Sequence, residues 1–367
     1  MDFKELLETE AKANDVETMT LLKTSGLPVV LYGASVDVSD QIVKKLSCHD
    51  VDVAAVAFDV DAPLMVELTV YLRDVETLEV KEIDKKFPAY NMILGFVKGY
   101  GNIPAIKAKF GHVKSVSYLS EIFDMEIITP SFVRENREFL EELYENLQDR
   151  CSKDSFVAYL LSKTRQDMKY LPPVFDKTQY FPKGMFEFSN HESYFDCGAF
   201  TGDTVASFLN AVGGLYRHIW AAEPDRSNYE QLAKYASEAK LTEIDIINKG
   251  IYAYTGKLPF RENGTMLSMI SEDAENYIDV DTIDHITDGA PVTYIKMDVE
   301  GAELQALKGA EQTIRSNRPT LGISIYHKQR DLIDIPGYIK KIVPEYKFRF
   351  RVHKKLAIDA VLYAAIE

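Results

Sequence analysis

The sequence predicts an α/β protein made of two Rossmann-like domains, the smaller one first, joined by a helical connector. Three observations carry this prediction. The chain has 367 residues, and at roughly 100–200 residues per domain two is the expected count. Short apolar runs of strand type alternate with amphipathic runs of helix type, and they do so twice. A proline-rich break separates the two series, and no repeat of the length used by solenoids or propellers stands out. The expected divisions are residues 1–130, a connector over 131–180, and a larger domain over 181–367.

The first series opens with Leu27 to Ala34 (LPVVLYGA), an apolar run that ends in glycine and a polar turn. A helix over about Val38 to Leu46 leads to a second strand, Val53 to Asp59. Tyr90 to Phe96 (YNMILGF) is a third strand, followed by a helix near Pro104 to Phe110 and a fourth strand at Val113 to Tyr118. The first turn has the position of a mononucleotide-binding turn but reads Gly33-Ala34-Ser35-Val36-Asp37-Val38. One glycine remains, and Asp37 sits where a phosphate needs an electropositive backbone. The expectation is a Rossmann-like domain that holds no nucleotide.

Ser131 to about Tyr170 is helical in pattern. Phe132, Leu140, Leu143 and Leu147 form one apolar face, and Phe156, Tyr159 and Leu160 begin another. Pro172, Pro173 and Pro182 then break the chain and place the boundary near 180. In the second series, strands are expected at Tyr194–Cys197, His218–Ala222, Ile244–Ile247, Thr293–Asp298, Thr320–Tyr326, Phe348–Val352 and Ala360–Ala365. Helices are expected at about Asp203–Ala211, Ser227–Glu238, Ala302–Arg315 and Ile335–Ile342. The stretch from Tyr252 to Gly289 is blurred. Seven strands, the last two joined without a helix, describe a seven-stranded sheet that ends in an antiparallel hairpin.

Composition narrows the function classes. The apolar fraction is 46% and the charged fraction 27%, which is ordinary for globular chains and unlike disordered ones. Lys and Arg number 42 against 57 Asp and Glu, a net charge of −15, so binding to a phosphate backbone is not expected. The densest basic run, Lys347 to Lys355, alternates with Phe348, Phe350 and Val352 and reads as a half-exposed strand. The start of the chain lacks a basic segment followed by an apolar one, and no apolar run approaches the ~20 residues that span a bilayer. Cys48, Cys151 and Cys197 have neither disulfide nor metal spacing. A cytoplasmic protein without membrane or nucleic-acid partners is the expectation.

Chemistry concentrates at two strand ends. The first strand of the second series runs into Asp196-Cys197-Gly198-Ala199-Phe200-Thr201-Gly202-Asp203-Thr204 and then a helix. That order places a ligand at the carboxyl edge of the sheet, with Gly198 and Gly202 giving it room. Glu223 ends the next strand, 21 residues beyond Gly202, where a carboxylate accepts both hydroxyls of a ribose. A dinucleotide would need a third glycine where Val205 stands, and Asp196 and Asp203 would repel its pyrophosphate. The same carboxylates attract a sulfonium and an ammonium group, so S-adenosylmethionine is favoured over NAD. Asn248 and Gly250, beyond the third strand, stand where an adenine edge is read in this kind of fold.

The fourth strand exits as Lys296-Met297-Asp298-Val299-Glu300-Gly301-Ala302-Glu303. Lys296 and Asp298 share one face of the strand, about 7 Å apart, and admit a structural ion pair. Glu303 fits a first-turn charge facing a helix dipole. Asp298 and Glu300 crowd the edge where active sites of open sheets lie. His327 ends the fifth strand and is a candidate general base or substrate contact. Asp284 receives no role. The carboxylates would suffice for a Mg²⁺ that takes only one or two of them, but there is no dedicated metal motif, and no metal ligand is expected.

The run IKMDVEGAE at 295–303, ALKGA at 306–310, DCGAFTGDT at 196–204 and SIYHK at 324–328 resemble the FkbM family of S-adenosylmethionine-dependent methyltransferases. The resemblance covers about residues 180–366, and the LYGA turn and YNMILGF run also resemble the domain that precedes the catalytic one in some members. It implies a class I methyltransferase fold for the larger domain. Asp196, Gly198, Gly202, Asp203 and Thr204, with Ala199 between them, would then line the methionine part of the donor, and Glu223 its ribose. It further implies O-methylation of a small hydroxyl compound, sugars and polyketides included. Asp298, Glu300 or His327 would take the hydroxyl proton. The alternative is a non-catalytic ligand-binding or scaffold protein with a degenerate methyltransferase domain, against which the intact glycines and Glu223 argue.

Overall fold

A computed structural model of the chain describes residues 15–33, 36–59, 75–95, 103–119, 128, 130–165, 170–261, 269–270, 276–353 and 359–366. The chain divides into two compact units. The first comprises residues 1–135, 157–173 and 355–357; the second comprises 136–156, 174–354 and 358–367.

In the first unit five strands form a parallel sheet in the order β3-β2-β1-β4-β5. They are β1 (Val29–Gly33), β2 (Val53–Phe58), β3 (Glu76–Glu79), β4 (Tyr90–Gly95) and β5 (Val113–Tyr118). β1 and β4 are buried along their whole length, as continuous apolar runs in the middle of a parallel sheet must be. β3 is an edge strand of sequence ETLE, whose polarity hides it from a search for apolar runs. The helix Val36–Cys48 turns Ile42 and Leu46 onto Leu31, Val56 and Ile93. Gly33 has a packing reason to be glycine: a Cβ there would stand 2.5 Å from the Phe58 ring. Ala34 and Ser35 of the glycine-depleted turn, Phe96, and Lys355 of the basic run lie outside the described residues.

The second unit is built on a seven-stranded sheet in the order β15-β16-β14-β13-β6-β7-β8. Its strands are β6 (Ser193–Cys197), β7 (His218–Ala222), β8 (Ile244–Ile247), β13 (Tyr294–Met297), β14 (Thr320–Ser324), β15 (Lys347–Val352) and β16 (Ala360–Ala365). Neighbouring strands are parallel from β14 to β8, and β16 runs antiparallel to both β14 and β15. Between β8 and β13 the blurred stretch folds as a small sheet, β11-β10-β12-β9. Its strands are β9 (Gly250–Ile251), β10 (Gly256–Arg261), β11 (Met269–Ile270) and β12 (Tyr277–Asp281), with residues 262–268 and 271–275 outside the described set. Short, partly polar strands explain why no single period was legible there.

Two features of this unit position the site. The strand order reverses at β6, which has β13 on one side and β7 on the other. In an open α/β sheet a ligand cleft forms at such a switch point, beyond the carboxyl ends of the strands. The helix expected over 302–315 is two helices, Glu303–Lys308 and Glu311–Asn317. Between them Gly309 lets the Tyr252 carbonyl oxygen come within 2.1 Å of where a Cβ would be. Asp284 has a role after all: its carboxylate accepts from Thr313 N at 2.8 Å and Gln312 N at 3.0 Å and caps the second helix.

Part of the expected connector belongs to this sheet. β15 is its edge, and Gln148 N donates to Phe348 O at 3.0 Å while the Ser152 hydroxyl accepts from Phe350 N, also at 3.0 Å. Phe156 packs edge-on to Phe350, with ring centroids 5.3 Å apart. The edge that would otherwise pair with another chain is thereby covered. Among the described residues no helix is long and apolar enough to cross a membrane.

Candidate active site

β6 runs through Gly198, at φ 78°, and Gly202, at φ 97°, into the helix Asp203–Ala211. Packing requires both glycines; Gly198 also lines the cleft, as expected, whereas Gly202 does not. A Cβ on Gly198 would stand 1.9 Å from the carbonyl oxygen of Asp298, so this glycine lets the β6 and β13 exits touch. A Cβ on Gly202 would meet the Tyr235 ring at 2.6 Å, and Gly202 is not on the cleft wall. Ala199 is fully buried in the apolar cluster of Val205 and Phe208, and its N–H donates to Ala222 O. It too is absent from the wall.

Asp196 is also interior. It lies directly opposite Lys296 in the parallel β6–β13 pairing, and its carboxylate is 3.0 Å from Lys296 Nζ. Adjacent strands are ~4.8 Å apart, closer than the ~7 Å between alternate residues of one strand, so Lys296 takes Asp196 as its partner rather than Asp298. Thr204 Oγ1 donates to the other carboxylate oxygen, and Lys296 also donates to the carbonyls of Gly198 and Cys197. Burial opposes the lysine's charge, but Asp196 and then Asp298 outweigh it and raise its pKa above the ordinary value.

Glu223 does reach the cleft. Its two carboxylate oxygens accept from Phe200 N at 2.9 Å and from Asp225 N at 3.0 Å, which fixes the group while leaving lone pairs for hydroxyl donors. Burial pushes its pKa up to about 7, against those two hydrogen bonds. Asn248 supports this turn from behind: its amide donates to the carbonyls of Glu223 and Pro224 at 2.9 and 3.0 Å. It does not line the cleft; its neighbours Lys249, Gly250 and Ile251 do. Asp203 and Thr204 are on the wall as expected.

At the other end stand Asp298 and Glu300, both on the wall, and His327, behind them. Asp298 Oδ2 accepts from the Tyr180 hydroxyl at 2.8 Å and Oδ1 from the Tyr326 hydroxyl at 3.2 Å. Burial pushes the Asp298 carboxyl up, but His327, Lys296 and the Tyr180 hydroxyl together hold it below the usual range. Glu300 adopts φ 51°, and burial raises its pKa. His327 Nε2 is 3.2 Å from Glu300 Oε2 and 3.6 Å from Asp298 Oδ1, while Nδ1 is 3.0 Å from Glu303 Oε1. With both ring nitrogens turned to carboxylates, His327 is not a free general base, which corrects that expectation. Burial opposes its charge, but Glu303, Glu300 and Asp298 raise its pKa well above the ordinary imidazole value.

Three residues of this end were not assigned from the sequence. Glu303 is fully buried, and its Oε1 accepts from Val299 N at 2.9 Å, so it shapes the exit of β13 rather than only facing a helix dipole. Tyr326 belongs to the SIYHK run, in which only the histidine had drawn attention. Tyr180 comes from the proline-flanked segment before β6, where no local pattern marks it. It is held at φ 61°; its carbonyl accepts from the Tyr294 hydroxyl and its N–H donates to the Tyr363 hydroxyl at 2.9 Å. Those contacts fold the segment over the site.

A mostly parallel Rossmann-like sheet, with an acid-lined cleft at its switch point, defines the class: an open α/β domain built to hold a ligand at the carboxyl edge of its strands. Residues 196–350 match the model of the methyltransferase FkbM domain. The fold of the chain is similar to that of methyltransferase FkbM from Methylobacillus flagellatus KT, with a TM-score of 0.70 and 22% identity, covering 95% of this chain and 92% of that one. An rRNA methylase from Streptococcus thermophilus aligns at TM-score 0.33 and 12% identity over 49% of this chain and 90% of its own. Fibrillarin from Aeropyrum pernix, solved with natively bound S-adenosyl-L-methionine, aligns at TM-score 0.32 and 12% identity over 50% and 71%. No curated protein matched.

Proposed function

We propose that this protein transfers the methyl group of S-adenosylmethionine to a hydroxyl of a small molecule, sugars and polyketides being the classes that the family resemblance implies. The observation that carries the reading is the charge of the cleft. Asp203, Glu223, Asp298, Glu300 and Asp359 line it, while its two lysines, Lys249 and Lys296, are paired with Asp281 and Asp196. Such a wall attracts a sulfonium and an α-ammonium group and repels a pyrophosphate. Glu223 accepts the ribose hydroxyls, and Gly198, Phe200, Asp203 and Thr204 face the methionine end.

Transfer is an in-line displacement at carbon. The acceptor oxygen forms a bond to the methyl carbon, the carbon–sulfur bond breaks, and sulfur leaves with the electron pair as a neutral thioether. The hydroxyl proton passes to a carboxylate at the Asp298–Glu300 edge. The protein's share is alignment and proton removal. A panel of sugars and hydroxylated compounds with radiolabelled methyl donor identifies an acceptor. Asp298→Asn and Glu300→Gln then lower turnover about 10²–10⁴-fold while affinity for S-adenosylhomocysteine changes little. Near-wild-type turnover in both variants rejects the assignment, and lost donor binding in Asp298→Asn moves that residue to the donor end.

A further inference from the structure

The geometry points to a divalent-cation site made by Asp298, Glu300 and His327 at the acceptor end of the cleft. One ligand atom from each residue lies within 4.8 Å of the other two. The measured separations from His327 Nε2, 3.2 Å to Glu300 Oε2 and 3.6 Å to Asp298 Oδ1, suit adjacent corners of an octahedron. Bonds of about 2.1 Å put neighbouring ligands about 3 Å apart.

More than an acidic cluster is present. The His327 side chain is nine-tenths buried, and although carboxylates surround it, neither ring nitrogen makes an aligned hydrogen bond. Nε2 is thus a buried polar atom aimed into the gap between two carboxylates. Behind it stands Glu303, fully buried and 3.0 Å from Nδ1, close enough to fix the ring once Nδ1–H turns toward it, as carboxylates do for metal-ligating histidines. The tyrosine hydroxyls of Tyr180 and Tyr326 orient Asp298 in the same supporting way.

Two hard carboxylate oxygens and one imidazole suit Mn²⁺ or Mg²⁺ better than a thiophilic ion. Three protein ligands on one side leave positions for water and for one oxygen of the acceptor. This last role rests on the methyl-transfer reading: the cation polarises the acceptor hydroxyl, whose proton passes to the second oxygen of Glu300 as the O–CH₃ bond forms and the S–CH₃ bond breaks. Cation binding displaces the proton from His327 Nε2 into solvent and itself needs neither donor nor acceptor.

The test uses metal-stripped full-length protein and Mn²⁺, with bound ion read by electron paramagnetic resonance and water-proton relaxation in the absence of S-adenosylmethionine. One Mn²⁺ binds per chain, and Mg²⁺ competes for it. Asp298→Asn and Glu300→Gln each weaken binding at least about tenfold, and Glu303→Gln weakens it about 10–100-fold through His327. Asp279→Asn, which removes an exposed carboxylate elsewhere, leaves it unchanged. No bound Mn²⁺ at millimolar ion, or equal binding in Glu300→Gln and Asp298→Asn, overturns the site. Calorimetry with S-adenosylhomocysteine separates the two readings: Mn²⁺ binding without S-adenosylhomocysteine binding leaves the cation site standing and rejects methyl transfer, and the reverse result rejects only the cation.

Discussion

On the proposed reading, Glu223 couples donor binding to pH. Ribose hydroxyls donate to its ionised form, while burial places its pKa at about 7 in the empty cleft. Binding below pH 7 must therefore first ionise the group, and affinity for S-adenosylhomocysteine rises with pH and levels off above 7. At pH 6 it is about tenfold below its limit, since one pH unit below the pKa leaves roughly one carboxylate in ten ionised. Titration calorimetry at pH 6 and 8 measures this, and the difference vanishes in Glu223→Gln; a dependence that survives in that variant refutes the coupling. Stability has the opposite sign. A carboxyl whose folded pKa is raised contributes stability below the ordinary carboxylate range, and that contribution is lost as pH climbs through about 7. Glu223→Ala removes two charge-assisted hydrogen bonds to the ribose, so affinity falls by about 1.5–3 kcal/mol. Unchanged binding in that variant would sink the ribose assignment.

At the scale of elements, the contact between the β6 and β13 exits decides the shape of the cleft. Gly198→Ala puts a methyl group against the Asp298 carbonyl in a left-handed backbone conformation. Strain there costs about 1–3 kcal/mol before any clash is counted, and relief moves Asp298. Chemical denaturation should register the loss, and turnover should fall with it even when S-adenosylhomocysteine still binds. The β6–β13 pairing carries a second expectation. Lys296→Met leaves Asp196 buried without its partner and destabilises the fold by about 3–5 kcal/mol. Adding Asp196→Asn removes the stranded charge and recovers much of that loss. If the double variant is no more stable than the single one, the buried pair is not the reason Lys296 is there. Strand and helix positions around this contact were legible because periodicity is local. The pairing was not, because it depends on which strand lies beside β13, and nothing within nine residues of Lys296 states that.

At the scale of the whole molecule, the connector is divided between the units, residues 157–173 counting with the first and 136–156 with the second. Residues 136–156 close the β15 edge of the larger sheet. A chain begun at residue 174 therefore melts below one begun at residue 136 and self-associates more readily, through the uncovered edge. Thermal unfolding and sedimentation check both. Equal melting temperatures and a monomer in each case would show that 136–156 add nothing to the sheet.

What the sequence by itself determined is the α/β alternation, the two strand exits that carry the chemistry, and the resemblance of about residues 180–366 to the FkbM family. Each is written within runs of ten residues or fewer, where side-chain period and glycine spacing are read directly. Only the tertiary structure decided what those residues touch. It gave Lys296 to Asp196, turned both nitrogens of His327 to carboxylates, spent Gly202 on the Tyr235 ring, and brought Tyr180 onto Asp298 across 118 residues of chain. Contacts of that kind depend on strand order and on segments that pack from far along the chain, and no local pattern encodes either.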